Sequence, residues 1–215
     1  MNFWSRVWEL VNTYRRYDPA TQSRWEVLLL YPGVKAWVLH QLAHWLYQRR
    51  VPFIPRLISE FSRWLTGIEI HPGATIKDRV LMDHGHGIVI GETAVVEEGV
   101  LIYQGVTLGG TSLERSKRHP TIRKNCVLGS GAKVLGNIEI GEGTRIGSNS
   151  VVIRSAPAHS TVVGIPGRIV SSGVEKGHEL EHAALPDPVQ SRLQELDRRV
   201  LELEQKLNSS DARGS

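Results

Sequence analysis

Hydrophobic residues follow three different patterns along this 215-residue chain, and each pattern predicts a different kind of structure. In residues 1–66 they recur at the spacing of amphipathic helices, with Pro19, Pro32 and Pro52 as breaks. This region is expected to form about four short helices.

The second pattern, in residues 67–170, has a period of six, which neither an amphipathic helix nor an alternating strand produces. Aliphatic residues fill all ten repeat positions of two runs, which argues against chance spacing in an ordinary β-rich domain. Hexapeptide repeats of this kind predict a left-handed parallel β-helix, whose inward aliphatic side chains stack from coil to coil. The runs are Ile90, Val96, Ile102 and Leu108, then Ile122, Leu128, Val134, Ile140, Ile146 and Val152.

The repeat is interrupted twice, and a solenoid accommodates interruptions as loops on its face. An earlier phase set by Ile70, Ile76 and Met82 misses Ile90 by two residues, so residues 83–87 are expected to form an irregular coil. A glycine-led basic loop follows at residues 109–121. Functional residues are expected at these two places, because binding and catalytic groups concentrate on loops held by a rigid scaffold.

The third pattern is a heptad seam near the C-terminus, formed by Val189, Leu193, Leu196, Val200, Leu203 and Leu207. It predicts a helix over residues 189–207 that joins subunits in a parallel coiled coil. The alternative is a single amphipathic helix folded back on its own subunit. Residues 171–188 are then a linker and residues 208–215 a disordered tail, and the whole chain is of the α+β class.

Composition narrows the function without identifying it. The 26 basic and 22 acidic residues are interspersed, so the net charge of +4 suits a small anionic substrate better than nucleic acid. A single cysteine, Cys126, excludes an internal disulfide and falls at a core position of the repeat. Neither a signal peptide nor a membrane span is expected, so the predicted location is the cytoplasm.

Six short blocks of the chain resemble the serine acetyltransferase family of the hexapeptide acyltransferases, over roughly residues 15–170. The resemblance implies transfer of acetyl from acetyl-CoA to the hydroxyl of L-serine, which gives O-acetylserine, the first step from serine to cysteine. It implies neither a metal nor a tightly bound cofactor. The blocks are Tyr17-Asp18-Pro19-Ala20, Ile68-Glu69-Ile70-His71-Pro72, Met82-Asp83-His84, Val106-Thr107-Leu108-Gly109-Gly110-Thr111, Arg118-His119-Pro120 and Gly164-Ile165-Pro166-Gly167-Arg168.

The same resemblance assigns roles to individual residues. His84 matches the general base, and Glu69 matches the acidic partner that orients it. Asp18 and Asp83 match the residues that hold the substrate ammonium group, although an aspartate before a proline is also a common helix or turn cap. Arg118 matches the residue that pairs with the substrate carboxylate, and His119 is expected to add a hydrogen bond.

Acetyl-CoA is expected along the outside of the β-helix. Its pantetheine arm is predicted to lie against the small residues Gly110, Thr111, Ser130, Gly147 and Ser148. Arg168 is the predicted phosphate contact, with Lys133 and Arg145 as further candidates.

Three other interpretations stay open at this stage. One is a hexapeptide acetyltransferase with a different hydroxyl acceptor, and one is a zinc enzyme of the carbonic anhydrase kind, for which His84 and His86 supply only two of the ligands needed. The third is a non-catalytic trimeric scaffold, which leaves the polar interruptions unexplained.

The resemblance also implies partners. Cysteine is expected to inhibit competitively with serine, and a homotrimer is expected ahead of a hexamer because the helical region is short for the family. Family members dock O-acetylserine sulfhydrylase through a C-terminal isoleucine, whereas this chain ends in Gly214-Ser215. Weak or no binding to that enzyme is therefore expected.

Overall fold

The computed structural model describes residues 2–172 and 188–211. Its first part is helical, as the spacing predicts, with α1 at Phe3–Tyr17, α2 at Arg24–Leu30, α3 at Pro32–Gln48 and α4 at Ile54–Thr66. Local signals set the helix ends. Ser23 and Glu26 form a reciprocal capping box at the start of α2, and Gly67 ends α4 in the left-handed conformation at φ 72°.

Fifteen short strands follow, and almost all of them pair in parallel with the strand three places further along the chain. Successive strands therefore visit three sheets in turn. Sheet A contains β1, β4, β7, β10 and β13, sheet B contains β2, β5, β8 and β11, and sheet C contains β3, β6, β9, β12, β14 and β15. The final pair, β14 with β15, is antiparallel. The bounds are β1 Glu69–Ile70, β2 Thr75–Ile76, β3 Leu81–Met82, β4 Val89–Ile90, β5 Val95–Val96, β6 Leu101–Ile102, β7 Thr107–Gly109, β8 Thr121–Ile122, β9 Val127–Leu128, β10 Lys133–Leu135, β11 Glu139–Ile140, β12 Arg145–Ile146, β13 Val151–Val152, β14 Ser160–Val163 and β15 Arg168–Ser172.

The core lies between the three sheets and is built from the six-residue repeat. All ten aliphatic residues of the two runs are buried, with at most 2% of their surface exposed. Cys126 lies among them with its Sγ 3.0 Å from the carbonyl oxygen of Gly141, and burial raises the pKa of its thiol to about 12. A thiol that stays protonated is a poor nucleophile, so Cys126 is a packing residue.

The predicted two-residue interruption is confirmed by the strand register. Met82 pairs with Ile102 and Ile70 pairs with Ile90, yet six residues (83–88) separate β3 from β4, whereas four (103–106) separate β6 from β7. The two extra residues widen the first coil at its corner between sheets C and A, next to His84.

The helices cover the open end of the coiled strands. The first coil contributes the terminal strand of each sheet, and its outward polar groups would otherwise lack a strand partner. Side chains of α1, α3 and α4 supply the missing hydrogen bonds. These are Ser59 Oγ to the Ile70 oxygen at 2.5 Å, Gln41 Nε2 to the Ile76 oxygen at 3.1 Å, Trp37 Nε1 to the Lys77 oxygen at 3.0 Å, and the Tyr14 hydroxyl to Met82.

Helix α4 buries small polar residues and exposes large apolar ones, the reverse of an ordinary surface helix. Its buried residues are Pro55, Ser59, Ser62 and Thr66. Its large apolar side chains face outward, and Trp64 has 79% of its surface exposed. An apolar stripe of this kind typically marks a contact surface for another molecule. The other exposed members of the stripe are Ile54, Leu57, Phe61 and Leu65.

Two expected boundaries need correction. Strand β15 ends at Ser172, beyond the boundary placed at 170, because it pairs back on β14. Helix α5 runs from Pro188 to Asp211, so a disordered tail from residue 208 is wrong for its first four residues, where neither glycine nor proline ends the helix. Residues 173–187 of the expected linker and residues 212–215 lie outside the described part. None of the helices in that part is long and apolar enough to cross a membrane.

Candidate active site

Most of the predicted site residues lie at two corners of the coiled strands, one on either side of sheet A; Asp18, Glu69 and Arg168 lie outside these corners. The His84 corner, between sheets C and A, contains residues 83–87, 103–105, 129–131 and 147–149. Backbone hydrogen bonds stack these segments, from Gly105 N–H to the His86 oxygen, from Gly131 N–H to the Gln104 oxygen and from Asn149 N–H to the Ser130 oxygen. The His119 corner, between sheets A and B, contains residues 91–93 and 110–120.

At the His84 corner, the irregular segment presents an exposed imidazole beside a carboxylate. His84 has φ 56°, and 70% of its side chain is exposed. Asp83 accepts a hydrogen bond from the His84 backbone N–H at 2.9 Å, and its other oxygen is 3.8 Å from His84 Nε2. A positive φ outside glycine persists only where the surroundings hold it, so this histidine is presented by its backbone.

The structure does not bring Glu69 to His84. The Glu69 carboxylate is 3.8 Å from Arg56 Nη2 and 3.9 Å from Arg63 Nη1 of α4, and within the described chain it has no hydrogen bond or ion pair with His84. Glu69 pairs with Val89 in sheet A, whereas the six-residue segment carries His84 out to the corner. The acidic group beside the imidazole is Asp83.

Asp18 lies at the end of α1 and caps the turn that follows, as the structural alternative anticipated. One carboxylate oxygen accepts the Ala20 N–H at 2.8 Å, and the other accepts the Tyr31 hydroxyl at 2.5 Å. The hydrogen bond from Tyr31 and then that from Ala20 hold the pKa of Asp18 below its usual value, with a smaller contribution from the charge of His84. Asp18 is therefore ionised, and it faces the His84 corner.

At the His119 corner, Arg118 is already paired with a carboxylate that the sequence did not single out. Its Nη2 donates to Glu92 Oε2 at 2.5 Å, and its Nη1 donates to the Glu114 oxygen at 3.3 Å. Tyr47 donates to the other oxygen of Glu92 at 3.2 Å. Burial would raise the pKa of Glu92, but the hydrogen bonds from Arg118 and Tyr47 hold it below its usual value. The guanidinium is thus held in place by a charged partner.

His119 is buried, and its hydrogen bonds define its tautomer. Its Nδ1 lies 3.2 Å from the Thr93 backbone N–H, which can only donate, so Nδ1 accepts and Nε2 carries the proton. Burial, followed by the charge of Arg118, lowers the pKa of His119, which keeps the ring neutral. A Cβ on Gly91 would lie 2.1 Å from Nε2, and one on Gly110 would lie 3.1 Å away. Gly91 is therefore needed for the ring to fit, and Gly110 leaves it little room to spare.

The residues predicted to hold acetyl-CoA are divided between the corners. Ser130, Gly147 and Ser148 lie on the His84 corner, whereas Gly110 and Thr111 lie on the His119 corner. Arg168 is exposed at the start of β15. Lys133 is unsuited to a phosphate contact, because its Nζ donates to the oxygens of Gly105 and Gly131 at 2.6 and 2.9 Å.

Metal binding has no support in the described residues, where no three histidine, cysteine, aspartate or glutamate side chains are grouped so as to hold an ion. The interpretation based on His84 and His86 would need a third ligand.

A model of the family "Bacterial transferase hexapeptide (six repeats)" matches residues 119–154. The chain is 54% identical over 190 residues to the serine acetyltransferase of Synechococcus elongatus, covering 88% of this chain and 78% of that protein. It is 49% identical over 212 residues to the serine acetyltransferase of Bacillus subtilis, covering 98% of each. This chain belongs to the serine acetyltransferase family.

Solved structures of the family share the fold. Serine acetyltransferase from Brucella abortus in complex with coenzyme A has a TM-score of 0.74 at 40% identity, covering 78% of this chain and 67% of that one. A serine acetyltransferase in complex with cysteine has a TM-score of 0.76 at 38% identity, covering 79% and 66%. The N-terminal helices, the parallel strands and the hexapeptide repeat are thus family features.

Proposed function

We propose that this chain is a serine O-acetyltransferase that transfers acetyl from acetyl-CoA to the hydroxyl of L-serine and so supplies O-acetylserine for cysteine synthesis. The observation that carries the proposal is the opposite charge of the two corners. Asp18 and Asp83 offer carboxylates for an ammonium group, and Arg118 offers a fork for a carboxylate. A free amino acid carries both groups, whereas a sugar hydroxyl acceptor carries neither.

The reaction needs a base at the His84 corner. Neutral His84 takes the proton of the serine hydroxyl as its oxygen attacks the thioester carbonyl, and the ring is then positively charged. Asp83, 3.8 Å from Nε2, stabilises that charge. When the carbon–sulfur bond breaks, the proton passes from the ring to the departing thiolate. Acetyl-CoA is a co-substrate, and no tightly bound cofactor takes part.

The coil is left-handed in this proposal, as is usual for hexapeptide repeats. Each active site is assembled from two subunits. Within one chain the width of sheet A separates the His84 corner from the His119 corner, so one serine does not contact both. A cyclic trimer places the His84 corner of one copy against the His119 corner of the next, in a heterologous contact that closes after three subunits. The apolar stripe of α4, a helix that packs on β1 of sheet A, supports such a contact.

Helix α5 is a second element of the trimer in this proposal. Its seam residues Leu193, Leu196, Val200 and Leu203 have 43–65% of their surface exposed. The trimer of strands would hold three such helices at high effective concentration, which favours a coiled coil too short to form alone. Deletion after residue 187 is expected to make the trimer dissociate more readily, as measured by analytical ultracentrifugation, while each intact site stays active. Unchanged dissociation would mean that α5 folds back on its own subunit.

Cysteine differs from serine by one atom and fits the same charged site, so competitive inhibition with respect to serine is part of the proposal. The cysteine complex of a 38% identical relative supports it. Inhibition that excess serine does not relieve would contradict a shared site.

Thiol release from acetyl-CoA in the presence of serine tests the activity, with sugars and other hydroxyl acceptors as controls. Thiol is expected to be released only when serine is present. Thiol release with a sugar in the absence of serine would favour a different acceptor. The shared site has its own test. Co-expressed His84→Ala and Arg118→Glu chains should form mixed trimers that regain activity, because some sites then combine an intact His84 corner with an intact His119 corner. Mixtures that stay inactive would place both corners of a site in one chain.

A further inference from the structure

We propose that Tyr14 is a positioning residue for His84. The proposal rests on the function proposed above, and it concerns a residue outside the polar motifs of the family resemblance. Tyr14 lies on α1, 2% exposed, and its hydroxyl is the hydrogen-bond partner of both polar backbone groups of Met82. Met82 is two residues before His84.

The contact is specific to one strand. Strand β3 is the terminal strand of sheet C, so the N–H and C=O of Met82 point away from its partner β6. The Tyr14 oxygen accepts from the Met82 N–H at 2.8 Å and donates to the Met82 oxygen at 3.1 Å. Ser59, Gln41 and Trp37, by contrast, each bond only a carbonyl oxygen of the first coil. Tyr14 therefore takes the place of an entire neighbouring strand at this residue.

The position is also closed to water. A Cβ on Gly33 would lie 2.0 Å from the Tyr14 hydroxyl and 2.5 Å from the Met82 oxygen, so the α3 backbone packs directly over the contact. Burial raises the pKa of the Tyr14 hydroxyl well above its usual value, which keeps it a donor. Removal of the hydroxyl takes away the hydrogen-bond partner of two buried backbone groups.

The Tyr14 side chain is also linked to Asp18 through Tyr31. The Tyr14 ring packs edge-on against the ring of Tyr31, with centroids 5.5 Å apart, and Tyr31 donates to Asp18. The Tyr14 hydroxyl thus fixes the backbone of Met82, just before Asp83 and His84. The Tyr14 ring packs against Tyr31, which in turn binds Asp18. Because His84 is exposed and held in the left-handed region, the strand before it is what determines where its ring lies.

The test compares Tyr14→Phe with Gln41→Met as a control. Gln41→Met removes the helix contact to the Ile76 oxygen on β2, a strand without predicted site residues, together with the hydrogen bond that Gln41 accepts from Arg6. Both variants are expected to lose some thermal stability. Only Tyr14→Phe should lower kcat, by about tenfold, with the KM for acetyl-CoA unchanged. Only Tyr14→Phe should shift the Hε1 resonance of His84 in the NMR spectrum.

Each outcome decides the proposal. A folded Tyr14→Phe variant with kcat within about twofold of the parent and an unmoved His84 resonance overturns it. If the variant unfolds in buffer, the same measurements are made with trimethylamine N-oxide, which favours the compact state, and a variant that stays unfolded there assigns Tyr14 a purely structural role. The NMR shift needs no substrate, so absence of serine acetylation in the parent enzyme would refute the proposed function and leave this readout intact.

Discussion

The two corners beside sheet A differ in how they place their side chains. At the His84 corner the side chain of the proposed base is 70% exposed and is placed by an irregular backbone with φ 56°. At the His119 corner the ring is 7% exposed and is placed by side-chain hydrogen bonds from Thr93, next to the Arg118–Glu92 pair. A base must reach its substrate and change its protonation state, whereas a recognition site benefits from donors fixed in advance. Substitutions at the His84 corner should therefore lower turnover, whereas substitutions at the His119 corner should lower the affinity for serine.

The largest effect is expected at His84. Replacing it by alanine removes the proposed base, so turnover should fall by about two to four orders of magnitude while acetyl-CoA binding is retained. Steady-state thiol release and a binding titration with acetyl-CoA measure the two quantities. A variant that keeps most of its turnover would remove the distinction between the corners.

The second effect separates the two acidic candidates of the first coil. Asp83→Asn should lower kcat/KM by at least about tenfold, because its carboxylate is the one beside His84 Nε2. Glu69→Gln is the matched control, since Glu69 faces Arg56 and Arg63 within one subunit. A larger loss in Glu69→Gln would show that the assembled enzyme brings Glu69 to the base.

A third effect should appear mainly in substrate affinity. Arg118→Ala is expected to raise the KM for serine on the order of tenfold, since the lost contact is made in both ground and transition states. Arg123→Ala is the control, because Arg123 also pairs with carboxylates, Glu97 and Glu139, but lies outside both corners. An Arg118 variant with an unchanged serine response would indicate a different acceptor.

The smallest effect concerns pH. Burial keeps the pKa of His119 below its usual value of 6.5, so the ring is neutral above that pH, and His119→Gln should leave the midpoint of the acid limb of kcat/KM unchanged. Its lowered pKa stabilises the fold above about pH 6.5, and that stability is lost as the pH falls. The free energy of unfolding of His119→Gln should therefore fall less steeply than that of the parent as the pH is lowered. A displaced acid limb would place His119 in proton transfer.

Structure that follows the sequence repeat could be predicted, whereas contacts that depend on the direction of individual side chains could not. The repeat identified the core from Ile90 to Val152 because each inward position recurs with the coil. It did not identify Glu92, since an acidic residue on a solenoid face is ordinary until its contact with Arg118 is visible. Helical spacing predicted α4 but not that its serines would face inward and its Trp64 outward.

The pairing of Glu69 with His84 stays a prediction, because the ion pairs of Glu69 within one chain are with Arg56 and Arg63. Their separation along the chain suggested neighbouring positions in stacked coils, but two residues inserted before β4 break the period between them. A period predicts stacking only while it is unbroken, and the segment that contains the proposed base lies where it breaks. Asp18 shows the converse, because its role as a cap followed from local sequence, whereas the hydroxyl of Tyr31 comes from the junction between α2 and α3.

The covered end of the first coil also bears on how such a protein avoids polymerising. A stack of parallel strands has no intrinsic length, and each open end is a template for another chain. Here Tyr14, Trp37, Gln41 and Ser59 occupy the open edges of all three sheets at one end, and the reversed strand β15 ends sheet C at the other. The N-terminal helices therefore act as a terminator of strand addition, and a chain without them would be prone to join end to end into fibres.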